Sequence, residues 1–234
     1  MQLFYVPDIT GSRCVLERNE SRHCIRVMRL SRGDRILITD GRGSLYEGII
    51  DDPDPSACVI SIAGLIPESG KRDYRLHVAI SPLKNPERFE WFVEKSVEMG
   101  IDEITPLICH NTEKTRIKAE RIENIIISAM KQSLHTLKPV LNEPVDFHDF
   151  ILPGTEGIRM IPHCNKEISR SPVSAVYSKG CDAIILIGPE GDFTHEEISA
   201  AIDKGFRSVH LGSARLRTET AGIAACHSVY FINQ

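Results

Sequence analysis

Two loops in this chain hold the residue types from which a small-molecule site could be made. The first, Ile187-Gly188-Pro189-Glu190-Gly191-Asp192-Phe193-Thr194 (IGPEGDFT), follows the apolar run DAIILIG and precedes a helix-like segment. Glycine there lets a ligand approach the main chain, and a strand running into a helix start offers backbone N–H groups and the positive end of a helix dipole. The second, LGSARLRTETA, follows the strand-like SVHLG; Gly212 opens it, and Thr218 is expected to cap the last helix. Two such corners in succession make a better pocket than either alone, although GPEG by itself also suits an ordinary strand-to-helix turn. Neither a G-x-G-x-x-G fingerprint nor a P-loop joins a strand to a helix, and G-x-S-x-G is absent. Phosphate-rich cofactors and a serine nucleophile elbow are therefore not indicated.

The elements that must position these loops follow from hydrophobic periodicity. RLHVAIS reads as a strand; Asn85 caps a helix with Pro86 at its first position, and Phe89, Phe92, Val93 and Val97 form an apolar stripe ending at Gly100. EITPLIC is the next strand, and Ile122, Ile125, Ile126, Ala129 and Met130 mark a second amphipathic helix. GIRMIPHC and DAIILIG are buried-strand runs, HEEISAAIDKGF is a helix with a Thr194/Glu197 capping box, and TETAGIAACHSVYFI is the last helix. Strands alternating with helices predict an α/β domain over 74–234 with a mostly parallel sheet, which binds ligands beyond the carboxyl ends of its strands. Ahead of it, RILITDGRGSLYEGIIDD and VISIAG predict a small β-rich barrel or sheet over 1–70, with PESGKRD (67–73) as linker.

With 234 residues, 41% hydrophobic and 26% charged, the chain can bury a sizeable core. No apolar run reaches the roughly 20 residues needed to cross a bilayer, and MQLFYVPD lacks a secretory pattern, so a cytoplasmic location and no membrane contact are expected. Seven scattered cysteines without a C-x-x-C pair suggest reduced thiols and no metal site. Net charge is -4, but residues 1–42 carry eight arginines against five acids, hence +3, leaving -7 for the rest. Guanidinium forks match phosphate oxygens, so Arg13, Arg22, Arg26 and Arg29 are candidate nucleic-acid contacts, the last three at i, i+4 and i+7 with Ile25 and Met28 turned inward. A solvated face with local ion pairs is the competing reading. Trp91 and Phe92 fit core packing better than an aromatic platform for nucleic-acid bases.

IGPEGDF, LGSARLRTETA, EKSVEMG and the N-terminal SRHCIRVMRLSRGD, in this order along nearly the whole chain, resemble the RsmE family of 16S rRNA uridine-N3 methyltransferases, of the SPOUT class. The resemblance implies a PUA-like N-terminal RNA-binding domain, a SPOUT domain with a trefoil knot, a homodimer, and S-adenosylmethionine (SAM) as methyl donor. It assigns Ile187, Gly188, Pro189, Glu190 and Gly191 to one cofactor loop, Leu211, Gly212, Leu216 and Thr218 to a second, and His163, Cys164 and Asn165 to a third. The family often has glycine where Asp192 stands, and a glutamate and a basic residue where Lys131 and His135 stand. Arg217 is the catalytic candidate, holding uracil or stabilising its developing negative charge; pairing with Glu190 or Glu219 is its alternative role. A non-catalytic ribosome-assembly factor and a methyltransferase for another RNA, such as tRNA, are the rival functions.

Overall fold

The computed structural model describes residues 2–9, 11–67, 72–152 and 157–234, so most of the expected linker, 68–71, lies outside the described residues. The chain divides into two compact units, Met1–Lys71 with Ile127–Lys138, and Arg72–Ile126 with Pro139–Gln234. The inclusion of 127–138 in the first unit was not visible in the sequence.

In the first unit the strands β1 (Leu3–Tyr5), β2 (Arg13–Val15), β3 (Arg35–Thr39), β4 (Leu45–Asp52) and β5 (Val59–Ile66) form a sheet of order β1-β3-β4-β5-β2. Alternation of buried and half-exposed positions along β3 and β4 puts Ile36, Ile38 and Ile50 in a core with Phe4, Leu16, Cys24, Cys58 and Ile60. Asp40 turns the β3–β4 hairpin by accepting from Arg42 N at 2.8 Å and Ser44 N at 3.3 Å, with Gly41 at φ 74°. The same turn is held by 127–138: Thr39 Oγ1 donates to Thr136 O at 3.0 Å and Lys138 N to Gly41 O at 2.9 Å.

The arginine-bearing segment is not one regular helix. α1 (Arg18–Arg22) passes into a wide π turn (His23–Val27), and Arg29 stands beyond it at φ 58°. Arg22, Arg26 and Arg29 therefore do not recur along one regular helix; of the two residues expected inward, Ile25 packs against the core while Met28 is 40% exposed. Burial explains the distortion. Ser21 donates to Leu16 O and accepts from Cys58 N, both at 2.9 Å, and Cys24 is fully buried, so this edge is pinned to the sheet.

The second unit is a parallel sheet of order β11-β13-β10-β12-β6-β7-β8, with β9 also on β7. Its strands are β6 (Leu76–Ile80), β7 (Glu103–Ile108), β8 (Val140–Leu141), β9 (Val145–Asp146), β10 (Ile158–Pro162), β11 (Ser171–Pro172), β12 (Ala183–Ile187) and β13 (Arg207–His210). Central β12 is buried at every position, as a strand covered on both faces must be. On one face α4 (Phe147–Phe150) and α6 (His195–Asp203) enclose Leu107, Phe147, Ile161, Leu186, Phe193 and Ile198. Elsewhere α2 (Pro86–Glu98) and α7 (Thr218–Ile232) pack together, α7 also meeting β6 and β12. Their approach is close because residue 222 is glycine: a Cβ there would lie 2.6 Å from Phe92 Cδ2. Asn85 caps α2 by accepting from Glu87 N at 3.0 Å, and the predicted stripe Phe89, Phe92, Val93 and Val97 is buried, while Trp91 stands 45% exposed. α3 (Ala119–Gln132) and the short α5 (Val173–Val176) complete the helices among the described residues.

Candidate cofactor cleft

Strands β10, β12 and β13 end at the same edge of the sheet, and the loops after them enclose a cleft of about 280 Å³, near the lower end of the roughly 300–1,000 Å³ usual for small-molecule sites. His163, Cys164, Ile187, Gly188, Pro189, Glu190, Leu211, Gly212, Leu216, Arg217 and Thr218 all line it. Two expected members do not: Asn165 lines an adjoining depression, and Gly191 packs against Asn111, where a Cβ would be 3.1 Å from Asn111 Cβ. The 189–192 turn closes through Asp192 N to Pro189 O at 2.9 Å, and Gly188 leaves room for Phe193, whose ring would be 3.0 Å from a Cβ. Gly212, at φ 117°, occupies a backbone region that side chains rarely adopt.

The charged groups are distributed unevenly. Arg88, Arg170, Arg215 and Arg217 line the cleft, with Glu190 and Asp192 the carboxylates among its walls. Glu190 Oε1 accepts from Lys84 N at 3.1 Å, and Glu219, 6% exposed, pairs with Arg88 at 3.7 Å. Arg217 therefore has neither of its alternative partners: its carbonyl accepts from Ala221 N at 2.7 Å, but its exposed guanidinium makes no hydrogen bond or ion pair among the described residues. Sequence reading missed Arg88 and Arg170, which come from α2 and from the chain beyond β10; only the sheet order brings them to the loops.

Asp192 explains how the first and third loops are held together. It stands at φ 64°, where glycine is the easy residue and aspartate among the tolerated ones. Its Oδ2 accepts from Cys164 N at 2.8 Å and its Oδ1 from Phe193 N at 2.9 Å. The carboxylate thus ties residue 164 to the 188–193 turn. His163 is 5% exposed; its Nε2 lies 2.6 Å from Ser208 Oγ, its carbonyl accepts from Arg170 at 2.5 Å, and its Nδ1 is buried without a partner. Burial pushes the imidazole pKa down, while Asp192 opposes this and Arg170 adds to it.

The capping box expected at α6 is present: Thr194 N donates to Glu197 Oε2 at 2.8 Å and Glu197 N to Thr194 Oγ1 at 3.1 Å, which occupies those two N–H groups. Thr218 does not cap α7. Residue 217 is the extended N-cap, without a side-chain cap bond, and Thr218 is buried in the first turn. Of the front arginines, Arg13 pairs with Asp51 at 3.4 Å, while Arg22, Arg26 and Arg29 are exposed. Lys131 meets Glu20 at 2.6 Å in the first unit.

Residues 70–230 match the family model described as an RNA methyltransferase domain, and 16–63 the RNA methyltransferase PUA domain. The chain belongs to the RNA methyltransferase family. Within it, the curated relatives are of the RsmE kind. One, named ribosomal RNA small subunit methyltransferase E, from Synechocystis, is 29% identical over 208 residues, 86% of this chain and 67% of that protein. Among solved structures, a probable rRNA-methyltransferase from Porphyromonas gingivalis is 41% identical with a TM-score of 0.92, covering 100% of this chain and 98% of that one. A ribosomal RNA small subunit methyltransferase E from Neisseria gonorrhoeae, bound to S-adenosyl methionine, is 25% identical with a TM-score of 0.87, covering 100% and 98%. The β-rich unit is thus PUA-like and the parallel-sheet unit a methyltransferase domain of α/β class.

Proposed function

We propose that this protein methylates N3 of a uridine in the 16S RNA of the small ribosomal subunit, using SAM. The observation that carries the reading is the convergence of three loops, from β10, β12 and β13, on one cleft whose Arg217 guanidinium is unpartnered. The residues fit the cofactor: Ile187, Leu211 and Leu216 offer an apolar slot for adenine, the orphaned His163 Nδ1 a polar contact, and no lysine cradle for a triphosphate is among the lining residues. When bound, SAM supplies an electrophilic methyl group. Arg217 holds the uracil and stabilises the negative charge that develops as the N3 proton passes to solvent, and the glycine loops fix the in-line approach. The base enters unpaired or flipped, because N3 otherwise lies in its pairing edge.

The reading includes RNA binding by Arg13, Arg22, Arg26 and Arg29, a cytoplasmic site of action, a trefoil knot and a homodimer. Supporting the knot, the chain leaves β13 beyond β10 and returns through α7 to β6, β12 and α2. Supporting the dimer, α7 presents Tyr230 and Phe231, the latter 69% exposed and stacked on His227, while Ala225 and Val229 are buried in their own unit. No helix among the described residues is long and apolar enough to cross a membrane.

The test is transfer from labelled SAM to small subunits lacking the modification, followed by nucleoside analysis. N3-methyluridine is expected, and Arg217→Ala should lose transfer while retaining SAM binding. SAM binding without transfer to subunits, but with transfer to another RNA, would replace the substrate. Absence of both SAM binding and transfer would leave an RNA-binding assembly factor.

A further inference from the structure

Beside the cleft lies a second, more open depression of about 910 Å³, sharing Cys164, Arg170, Asp192, His210, Gly212, Ala214 and Arg215 with it and adding Lys166. Its charge is one-sided. Lys166, Arg170 and Arg215 line it against a single acid, Asp192, whose two oxygens already accept from Cys164 N and Phe193 N. Lys166 and Arg215 are exposed and have no hydrogen bond or ion pair among the described residues, and Arg170 commits one guanidinium nitrogen to His163 O.

We infer that this depression is a phosphate-holding platform for the RNA strand flanking the target nucleotide, with Lys166 and Arg215 as its contacts and Arg170 as the link to the cofactor loop. The inference rests on the proposed methyl transfer to RNA. A base whose N3 enters the cleft must leave its sugar and phosphates at the rim, and this is the rim that shares walls with the cleft. Unpaired cations suit phosphate oxygens, which position a strand without reading its sequence. A basic ribosomal protein would be repelled by the same charges, so RNA is the occupant the site selects. The RNA contacts expected from sequence were all in the Arg-rich front segment; these belong to the methyltransferase unit itself.

The test uses the full chain and a short single-stranded oligouridylate, with RNA affinity measured across a potassium chloride series and SAM affinity by calorimetry. Lys166→Ala should lower the slope of log affinity against log salt by about 0.7, and Lys166→Ala/Arg215→Ala by about 1.4, the values for one and two lost single-strand phosphate contacts. Arg215→Lys should keep the native slope, since a point charge suffices for phosphate. Lys166→Ala should bind SAM as the native protein does. Unchanged slopes in both alanine variants, with native RNA and SAM binding intact, would overturn the platform alone. So would weaker affinity at unchanged slope, which would mean contacts to bases or altered folding. A native protein that binds neither SAM nor RNA would overturn the functional reading and the platform with it.

Discussion

Gly222→Ala tests the packing that places the first turn of α7 at the cleft. The new Cβ would lie 2.6 and 2.7 Å from Phe92 Cδ2 and Cε2 and 3.1 Å from Ile80 Cδ1, and both of those side chains are fully buried. Alanine for glycine inside a helix ordinarily stabilises by about 1 kcal/mol. Overpacking a core costs about 1–3 kcal/mol, and two buried neighbours without an exit place this site near 3. The net expectation is a loss of about 2 kcal/mol, or roughly 4–8 °C in melting temperature for a chain of this size. Trp91, the sole tryptophan, sits on α2 beside Phe92, so its fluorescence in a urea titration reports on the unit concerned. Phe92→Leu in the same chain should recover part of the loss, because the two positions are in contact. Displacement of α7 would also move Arg217, Thr218 and Ala221 in the cleft wall, so SAM affinity should fall with stability. A Gly222→Ala protein as stable as the native one would refute the close approach of α2 and α7.

Acid should destabilise the fold partly through His163. Its folded-state pKa is held below 6.5 by burial, so as pH falls below about 6.5 the unfolded chain binds a proton that the folded one resists, and stability declines; above that value the contribution is flat. His163→Gln should show a smaller difference in urea midpoint between pH 5 and pH 8 than the native protein. Lys131→Met should cost about 2 kcal/mol by leaving the Glu20 carboxylate, whose Oε2 already lacks a partner, without its cation, and adding Glu20→Gln should restore most of it in thermal melts. Cys164 is the exposed cysteine, whereas burial pushes Cys14 up to about 11 and Cys24 and Cys226 to about 12. N-ethylmaleimide at pH 8 should therefore label Cys164 first, and SAM should slow that labelling as followed by mass spectrometry.

What the chain determined locally was legible without coordinates. The Asn85 cap, the Phe89-Phe92-Val93-Val97 stripe, the Thr194/Glu197 capping box and the fully apolar β12 each depend on residues within one or two turns. So did the two glycine corners, because a positive φ at Gly212 and a crowded approach at Gly188 leave a mark in residue type. Tertiary structure decided what those marks could not. It showed that Thr218 is buried in the first turn of α7 rather than capping it, that the segment 18–29 widens into a π turn around buried Cys24, and that 127–138 belongs with the first unit. It separated Arg217 from Glu190 and Glu219 by giving those carboxylates to Lys84 and Arg88. It also brought Arg88, Arg170 and Asp192 to the cleft, residues up to 104 positions apart in the chain. The division has a simple cause: turns, caps and periodicity are set by neighbours in sequence, whereas a charged side chain's partner is set by strand order, and nothing local encodes that order.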